Sequence, residues 1–319
     1  MSDALRVEVR RTVDDVEWDA LLARDPRAHV LQRPELIRCA AAEEPGWEPR
    51  WFEVRDGAGV LRSGMGTVER TRFGAKLRVA GVAGLYGGPV AGPDDAAAEA
   101  ALARAFTGHE AWRTIHRELV WAGGDGPRGP WEGLQPLDAA VLDVEAHEDF
   151  DAWWKNSFPM NRRNESNRSD KRGLTMEIDR VGASLAAFHP LYAERSASWG
   201  VPALGLRLLE RLVERFEEFF VVVARGPEGD VIGAHVCVDL GHELFAWVGT
   251  TQRRKDVFPT TTIVREEVRW CFENRRAGVN LGSSIGSAGV GGYKKLMGAR
   301  IDRRWIVDVD RRPWRKRTR

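Results

Sequence analysis

Two adjacent lysines, Lys294 and Lys295, lie between a run of glycines and a further glycine in the stretch GVGGYKKLMGAR, residues 289–300. Glycine lets a backbone approach a ligand closely, so we expect a glycine-bounded loop here. A lysine ammonium that is fixed in a partly dehydrated cleft stabilises an oxyanion by a few kcal/mol. A charge pair of this kind is more commonly a solvated part of the surface. The stretch therefore indicates either an anion-stabilising site or an ordinary surface loop.

Two basic clusters offer further sites for anions. Residues 155–172 contain six cations against two acids, and residues 303–319 contain eight against two. Such patches bind phosphate backbones without sequence preference, and Trp305 and Trp314 in the second cluster can stack on unpaired bases. The alternatives are a solvated helix face for the first cluster and a disordered charged end for the second. With the cations of a third group, TQRRKDVFPTTT, the candidates for phosphate contact are Arg162, Arg163, Arg168, Lys171, Arg253, Arg254 and Lys255.

Other chemistries find little support in the sequence. The seven histidines form no HxxxH or HxH pair with carboxylates at ligand spacing, so no metal site is expected. His235 and Asp239 lie four residues apart in a strand pattern, and either one is a proton acceptor or an ordinary strand residue. The segment GSSIGS, with Ser283, Ser284 and Ser287, lacks the GxSxG elbow of serine hydrolases.

Composition bounds the class of protein. The chain has 319 residues, 43% hydrophobic content and a net charge of +1, so we expect a globular protein of two domains. The charges in the first fifteen residues exclude a signal peptide, and no apolar run reaches the length of a membrane span. The three cysteines show no CxxC spacing, which fits buried thiols in a reducing compartment. We therefore expect a cytoplasmic protein without a membrane span.

The elements that must position these residues follow the same order twice. Each half begins with helical patterns, continues with strands joined by turns, and contains one more helix. In the second half, FFVVVAR, DVIGAHVCVDL and HELFAWVGT predict consecutive antiparallel strands because short turns join them. A helix over TTIVREEVRWCFENRRAG is expected to end at Gly278 as its C′ residue, and IDRRWIVDV predicts a last strand.

Six blocks in this order resemble the FemA/FemB/FemX family of aminoacyl-tRNA-dependent peptidyltransferases, which are tandem GNAT-type acyltransferases. They are HVLQRPELIR, LYGGPV, FPMNRRNESNRSDKRGLTMEI, LYAERSASWGVP, AGVNLGSS and GGYKKLMGAR. The resemblance implies an α/β fold with a mixed sheet and two GNAT-like domains that share a central cleft. The expected division is an N-terminal domain at 1–147, a C-terminal domain at 148–301, and a final strand with a basic tail at 302–319; in the family that strand returns to the first domain.

The resemblance also assigns roles. Tyr293-Lys294 matches an aromatic-lysine pair beside the place where the acyl ester meets the acceptor amine, so Lys294 would stabilise the oxyanion and Tyr293 would orient the donor. Lys295 has no such match. Arg38 matches a cation that contacts phosphates of a nucleotide-linked acceptor, and Tyr86 and Gly292, in matching blocks, are expected at the substrate.

Two positions depart from the family pattern. Leu204 stands where the family has a second phosphate-binding arginine, and Asn280 stands where many relatives have aspartate. Both changes argue against a UDP-linked cell-wall precursor as the acceptor.

The loop TQRRKDVFPTTT stands where GNAT enzymes bind the phosphates of their acyl donor. GNAT enzymes bind the CoA pyrophosphate on backbone N–H groups of a glycine-containing loop before a helix, and this loop contains no glycine. The equivalent in the first half, GGPVAGPDD, ends in two aspartates that repel an anion. We therefore expect an acyltransferase that joins an aminoacyl-tRNA to an amine of a small molecule or peptide, without a bound cofactor. The alternatives are an acyl-CoA-dependent N-acyltransferase and a non-catalytic RNA-binding protein.

Overall fold

The computed structural model describes residues 4–72, 74–108, 111–118, 128–283 and 288–312. Its α-helices are α1 (Asp15–Leu22), α2 (Pro34–Glu43), α3 (Ala96–Gly108), α4 (Phe150–Asn156), α5 (Met160–Lys171), α6 (Leu185–Ser198), α7 (Leu206–Arg215), α8 (Pro259–Glu273) and α9 (Ala288–Leu296). Its strands are β1 (Arg6–Arg10), β2 (Glu48–Arg55), β3 (Leu61–Arg72), β4 (Ala75–Ala80), β5 (Val90–Ala91), β6 (Arg113–Glu118), β7 (Leu134–Asp143), β8 (Thr175–Asp179), β9 (Phe219–Arg225), β10 (Val231–Asp239), β11 (Leu244–Thr251), β12 (Gly278–Ser283) and β13 (Arg300–Asp310). Short 3₁₀ turns cover Val30–Gln32 and Val82–Gly84.

The first compact unit contains residues 1–137 and 303–319. Its strand order is β1-β2-β3-β4-β6-β13, with β5 added to β3. The pairs are antiparallel except β4 with β6, which run parallel because α3 lies between them in the chain. Four residues before the LYGGPV block, an added Cβ at Gly81 would lie 2.3 Å from the carbonyl oxygen of Leu85, the first residue of the block, so only glycine fits this close backbone crossing.

The second unit, residues 138–302, repeats this plan. Its strand order is β7-β12-β11-β10-β9-β8, and the one parallel pair in the described part is β11 with β12, on either side of α8 in the chain. The predicted antiparallel run of β9, β10 and β11 is confirmed. Its helices pack through apolar faces, as in α7, where Leu208, Leu209, Leu212 and Val213 are buried. The mixed α/β sheet expected from the sequence is therefore present.

Two strands are exchanged between the halves of the chain. β7 follows the first unit in sequence, but its residues from Ala139 to Asp143 pair with β12 in the second unit. β13 follows the second unit, but Trp305–Asp310 pair with β6 in the first. The chain accordingly divides at residues 137/138, whereas the sequence placed the division after residue 147. The reason is that β7, the next described strand after β6, pairs with β12 of the second unit.

The end of α8 differs from expectation. We expected Gly278 to terminate this helix, but α8 ends at Glu273, Arg275 takes the left-handed conformation with φ of 55°, and Gly278 begins β12. An added Cβ at Gly278 would lie 2.3 Å from the Leu142 carbonyl oxygen, so this glycine serves strand pairing instead. The expected buried thiols are present, since Cys39, Cys237 and Cys271 are free and buried.

Candidate active site

The stretch that carries Lys294 is a helix, so the prediction of a glycine-bounded loop was wrong. Lys294 and Lys295 lie in the last turn of α9, which their good helix propensity favours. Gly298, with φ of 84°, ends the helix: its N–H bonds to the Lys295 carbonyl, and the Ala299 N–H bonds to that of Lys294. This is the Schellman pattern, for which a glycine is preferred. Gly298, the glycine that follows the two lysines, thus terminates a helix and does not bound a loop.

Lys294 is almost fully buried. Its residue is 7% exposed, and Nζ donates to the carbonyl oxygens of Gly282 and Ser283, each at 2.9 Å. Burial lowers the pKa of Lys294 to about 8. Lys295, in contrast, is exposed. Lys294 is therefore not a solvated surface charge, because its amino group bonds to two backbone carbonyls in place of water.

The end of β12 provides these acceptors. The pairing between β11 and β12 reaches only Phe245 and Asn280, so the later residues of β12 are left to other partners. Asn280 is fully buried, and its side-chain oxygen accepts the Gly282 N–H at 2.8 Å. Its side-chain nitrogen donates to Glu243 at 2.7 Å. Asn280 therefore fixes the turn at Gly282, whose φ of 74° suits glycine, and so fixes one carbonyl that holds Lys294.

Tyr293 directs its hydroxyl into the interior of the second unit. Burial, followed by the charge of Glu267, raises the pKa of Tyr293. Glu267 on α8 is fully buried and bonds through one oxygen to His235 Nδ1 at 2.6 Å and to Cys237 Sγ at 3.3 Å. Neither the other Glu267 oxygen nor the Tyr293 hydroxyl has a hydrogen-bond partner among the described residues. The role of Tyr293 in orienting a donor stays a prediction, and its inward hydroxyl gives it a packing position.

Both strand candidates for a proton acceptor have a partner within the fold. His235 is held by Glu267, and Asp239 accepts two hydrogen bonds of 2.7 Å from Arg276. The Asp239 carboxylate is thus engaged by Arg276, and the bond to Glu267 engages one of the two ring nitrogens of His235. The ordinary interpretation of these two residues therefore fits the structure.

Gly292 lies on an exposed face of α9, and an added Cβ there would meet no atom within 4 Å. Because glycine in a helix costs about 0.5–1 kcal/mol relative to alanine, we expect Gly292→Ala to raise the free energy of unfolding by up to that amount. Chemical denaturation measures this change. If a substrate approaches the backbone here, the same variant raises KM for that substrate. A less stable variant would contradict the open helix face.

Two cations at the C-terminal end of α5 lie beside Asp256 in the loop before α8. Arg168 and Arg172 each lie 3.7 Å from its carboxylate. Both are more than half exposed, and Arg168 also covers the ring of Phe258. We call the exposed set the basic surface: Arg168, Lys171, Arg172, Arg253 and Lys255. The structure thus joins two of the clusters that the sequence showed separately.

Three predicted phosphate contacts differ from this set. Arg162 bonds to Glu165, with N–O distances of 2.9 and 2.7 Å, and is partly buried. Arg163 is also partly buried, with Nε shielded from solvent. Arg254 pairs with Asp230. Arg162 and Arg254 are thus engaged in ion pairs and Arg163 is partly buried, so the prediction of phosphate binding keeps the other four residues, and the structure adds Arg172 beside them.

The first turn of α8 is covered by α5. The Phe258 N–H donates to Ser169 Oγ at 2.8 Å, and Thr261 Oγ1 donates to the Glu165 carboxylate at 3.1 Å. A carboxylate is stabilised beside a helix N-terminus, where a phosphate would otherwise bind. Asp170, the other acid of α5, pairs with Arg265. Ser169 therefore occupies the Phe258 N–H, and Glu165 adds a negative charge at the first turn of α8, both of which disfavour an anion there.

The two candidates of the first unit have local partners. Arg38 on α2 forms a two-bond ion pair with Asp15, at 3.0 and 2.8 Å. Tyr86 is 3% exposed, which places its side chain in the core of that unit. Their contacts with a substrate stay predictions. Ser284 and Ser287 and the tail cations from Arg315 onward lie outside the described residues.

Glu267, Glu243 and the role of Asn280 were missed by sequence reasoning. One signal for Glu267 is present: it interrupts the apolar face of α8 formed by Ile263, Val264, Val268 and Cys271. A charge on a buried helix face requires an internal partner. Glu243, in GHELFAW, carries no such signal.

The described residues contain no group of three or more potential metal ligands. Among them, no helix combines the length and the apolar character that crossing a membrane requires.

Comparisons with known proteins bear on the fold. The sequence matches no protein-family profile and no curated protein. Among solved structures, FemX is similar with a TM-score of 0.67 at 15% identity, over 95% of this chain and 98% of that one. The C-terminal domain of a lysylphosphatidylglycerol synthetase from Agrobacterium fabrum gives 0.56 at 12%, over 92% of both chains. A tandem GNAT protein from the clavulanic acid biosynthesis pathway gives 0.56 at 12%, over 97% and 99%. The chain therefore has the Fem-like tandem GNAT fold.

Proposed function

We propose that this protein is an acyltransferase that joins an activated acyl group to an amine and forms an amide bond. The observation that supports this function is Lys294, a buried amino group held by two carbonyls at the end of β12. Attack of an amine on an ester passes through a tetrahedral oxyanion. A positioned N–H donor stabilises that anion most strongly in a site from which water is excluded.

We further propose aminoacyl-tRNA as the acyl donor. The basic surface supports this choice, because its exposed side chains can neutralise several phosphates of an RNA backbone. From Arg172 to Arg162 the helix α5 rises roughly 15 Å, a distance that a few unpaired nucleotides can span. Arg162 contributes to the electrostatic environment of Tyr293, which precedes Lys294. A strand that binds at the basic surface can thus extend along α5 toward the candidate site.

Acyl-CoA is the second candidate donor. A structural neighbour is described in connection with AcCoA, and the fold alone does not distinguish the two donors. The first turn of α8 disfavours this donor, because Ser169 occupies the Phe258 N–H and the Glu165 carboxylate adds a negative charge there. A CoA pyrophosphate needs open N–H groups at such a turn.

The decisive experiment offers both donors to the purified protein. In one reaction the protein is mixed with a pool of charged tRNA, and in another with acetyl-CoA; free amino acids and short peptides serve as acceptors. We expect new amide products by mass spectrometry in the first reaction only. Consumption of acetyl-CoA with untouched tRNA at low salt would replace the proposed donor. Tight tRNA binding with neither donor consumed would favour a non-catalytic RNA-binding protein.

A further inference from the structure

The hydrogen bonds of Lys294 require only two N–H donors. An ammonium has three N–H donors, whereas a neutral primary amine has two N–H donors and one lone pair. Nζ donates to two acceptors, the carbonyls of Gly282 and Ser283. A neutral Lys294 therefore satisfies both of these bonds and keeps its lone pair in a remaining direction.

The surroundings of Lys294 do not favour a permanent charge. Among the described residues it forms no ion pair with a carboxylate. Its neighbours on α9 are Tyr293, whose hydroxyl is buried, and Lys295, which is exposed. The carboxylate that connects to β12 is Glu243, and Asn280 stands between it and Gly282. With a pKa of about 8, roughly a quarter of Lys294 is neutral at pH 7.5, in the range where general bases work best.

We propose that neutral Lys294 is the general base of the reaction and that Asn280 is its positioning residue. This inference rests on the proposed amide-forming function. The acceptor nitrogen attacks the ester carbonyl carbon, so a C–N bond forms and the carbonyl electron pair becomes an oxyanion. Nζ then takes a proton from the attacking nitrogen, which leaves an ammonium whose third N–H can donate to the oxyanion. The oxyanion re-forms the carbonyl, the C–O bond to the donor breaks, and the leaving oxygen receives the proton from Nζ. Lys294 returns to its neutral form.

Asn280 helps to keep a fraction of the base neutral at rest. Its amide accepts the Gly282 N–H and donates to Glu243, so it fixes the acceptor carbonyl without adding a charge beside Lys294. A carboxylate at position 280 would stabilise the ammonium and raise the pKa of Lys294. Because many relatives have aspartate where this chain has Asn280, the asparagine favours the neutral form of Lys294 here.

The first test is the pH dependence of kcat/KM between pH 6 and 9.5, with an acceptor amine whose own pKa lies below 6. Because the neutral form is active, we expect the rate to rise through about pH 8 and then level off. A rate that falls through this range, or that does not change, would overturn the base assignment. If the unmodified protein consumes no donor at any pH, the proposed function itself has failed, which is a different result.

The second test exchanges the charged and neutral members of the pair. The double variant Glu243→Gln with Asn280→Asp keeps one amide and one carboxylate in contact but moves the charge next to Gly282. We expect the midpoint of the pH profile to rise by about one unit, since a nearby opposite charge favours the ammonium. Glu243→Gln alone is the matched control, and it should not raise the midpoint. An unchanged midpoint in the double variant would overturn the role of Asn280.

A third measurement does not depend on activity or on these variants. The rate at which a small amine-reactive reagent modifies Lys294 in the full chain, followed by peptide mass spectrometry, reports the titration of its Nζ. We expect a midpoint near 8, well below the value of about 10.4 for a lysine in a model peptide. A midpoint at the model-peptide value would overturn the inference.

Discussion

Replacing Lys294 with alanine is expected to lower the rate of amide formation by about 10²-fold or more, as the loss of an oxyanion donor does in other enzymes. The rate should be measured in single turnover with saturating donor and acceptor, so that binding does not mask the chemical step. Lys294→Met is a useful companion, because it keeps an apolar stem of similar length and removes only the amino group. Both variants should lose activity to a similar degree.

The same replacement should also cost stability. A lysine in a solvated loop would contribute little, but Lys294 is buried, and its loss leaves the carbonyls of Gly282 and Ser283 without this donor. We expect a decrease of about 1–3 kcal/mol in the free energy of unfolding. Lys295→Ala is the matched control, since it removes an adjacent but exposed charge. Full activity in Lys294→Ala would return Lys294 to a structural role.

Removing three cations of the basic surface is expected to weaken tRNA binding by at least about tenfold at low salt. The variant combines Arg168→Ala, Lys171→Ala and Lys255→Ala, which lie on α5 and on the loop before α8. Each lost phosphate contact should reduce the slope of log K against log salt by about 0.7–0.9, so the triple variant should reduce it by about 2–3. Filter binding or fluorescence anisotropy over a salt series measures both quantities.

The control for this experiment removes the same number of positive charges from another helix. Arg207, Arg211 and Arg215 lie on α7, and their replacement by alanine should leave the salt slope unchanged. Truncation after Arg312 tests the tail separately. It removes Arg315, Lys316, Arg317 and Arg319 but keeps β13 and Arg311, which bonds to the Thr107 carbonyl. If the α7 variant weakens binding as much as the basic-surface variant, tRNA is held by general charge and not at this surface.

The strands of the fold were predictable where neighbours in sequence are neighbours in the sheet. The run from Phe219 to Thr251 is β-branched and aromatic, and short turns join its strands. The division near residue 138 was not predictable in this way. Sequence patterns show that Leu134–Asp143 is a strand, but they do not show that its partner is β12, some 140 residues later.

The sequence predicted which residue types occur at the candidate site, but it did not predict the contacts that they make. The motif around Tyr293-Lys294 located the amino group, but its glycines indicated a loop because Gly298 was not recognised as the end of a helix. The partners of Lys294 are main-chain carbonyls, which carry no sequence signal at all. Asn280 was read as a lost carboxylate, whereas its hydrogen bonds show what an amide gains at that position.

The exchange of β7 and β13 sets the order in which the protein can be completed on the ribosome. Residues 1–137 emerge first, but one edge of β6 has no partner until Trp305–Asp310 have been made. An open strand edge invites pairing with other chains, so the first half is exposed to aggregation while the second half is synthesised. In the second unit, in contrast, β7 is made before β12, so β12 has this partner as soon as it is made. A truncation or substitution in β13 is therefore expected to destabilise the first unit, which contains Arg38 and Tyr86.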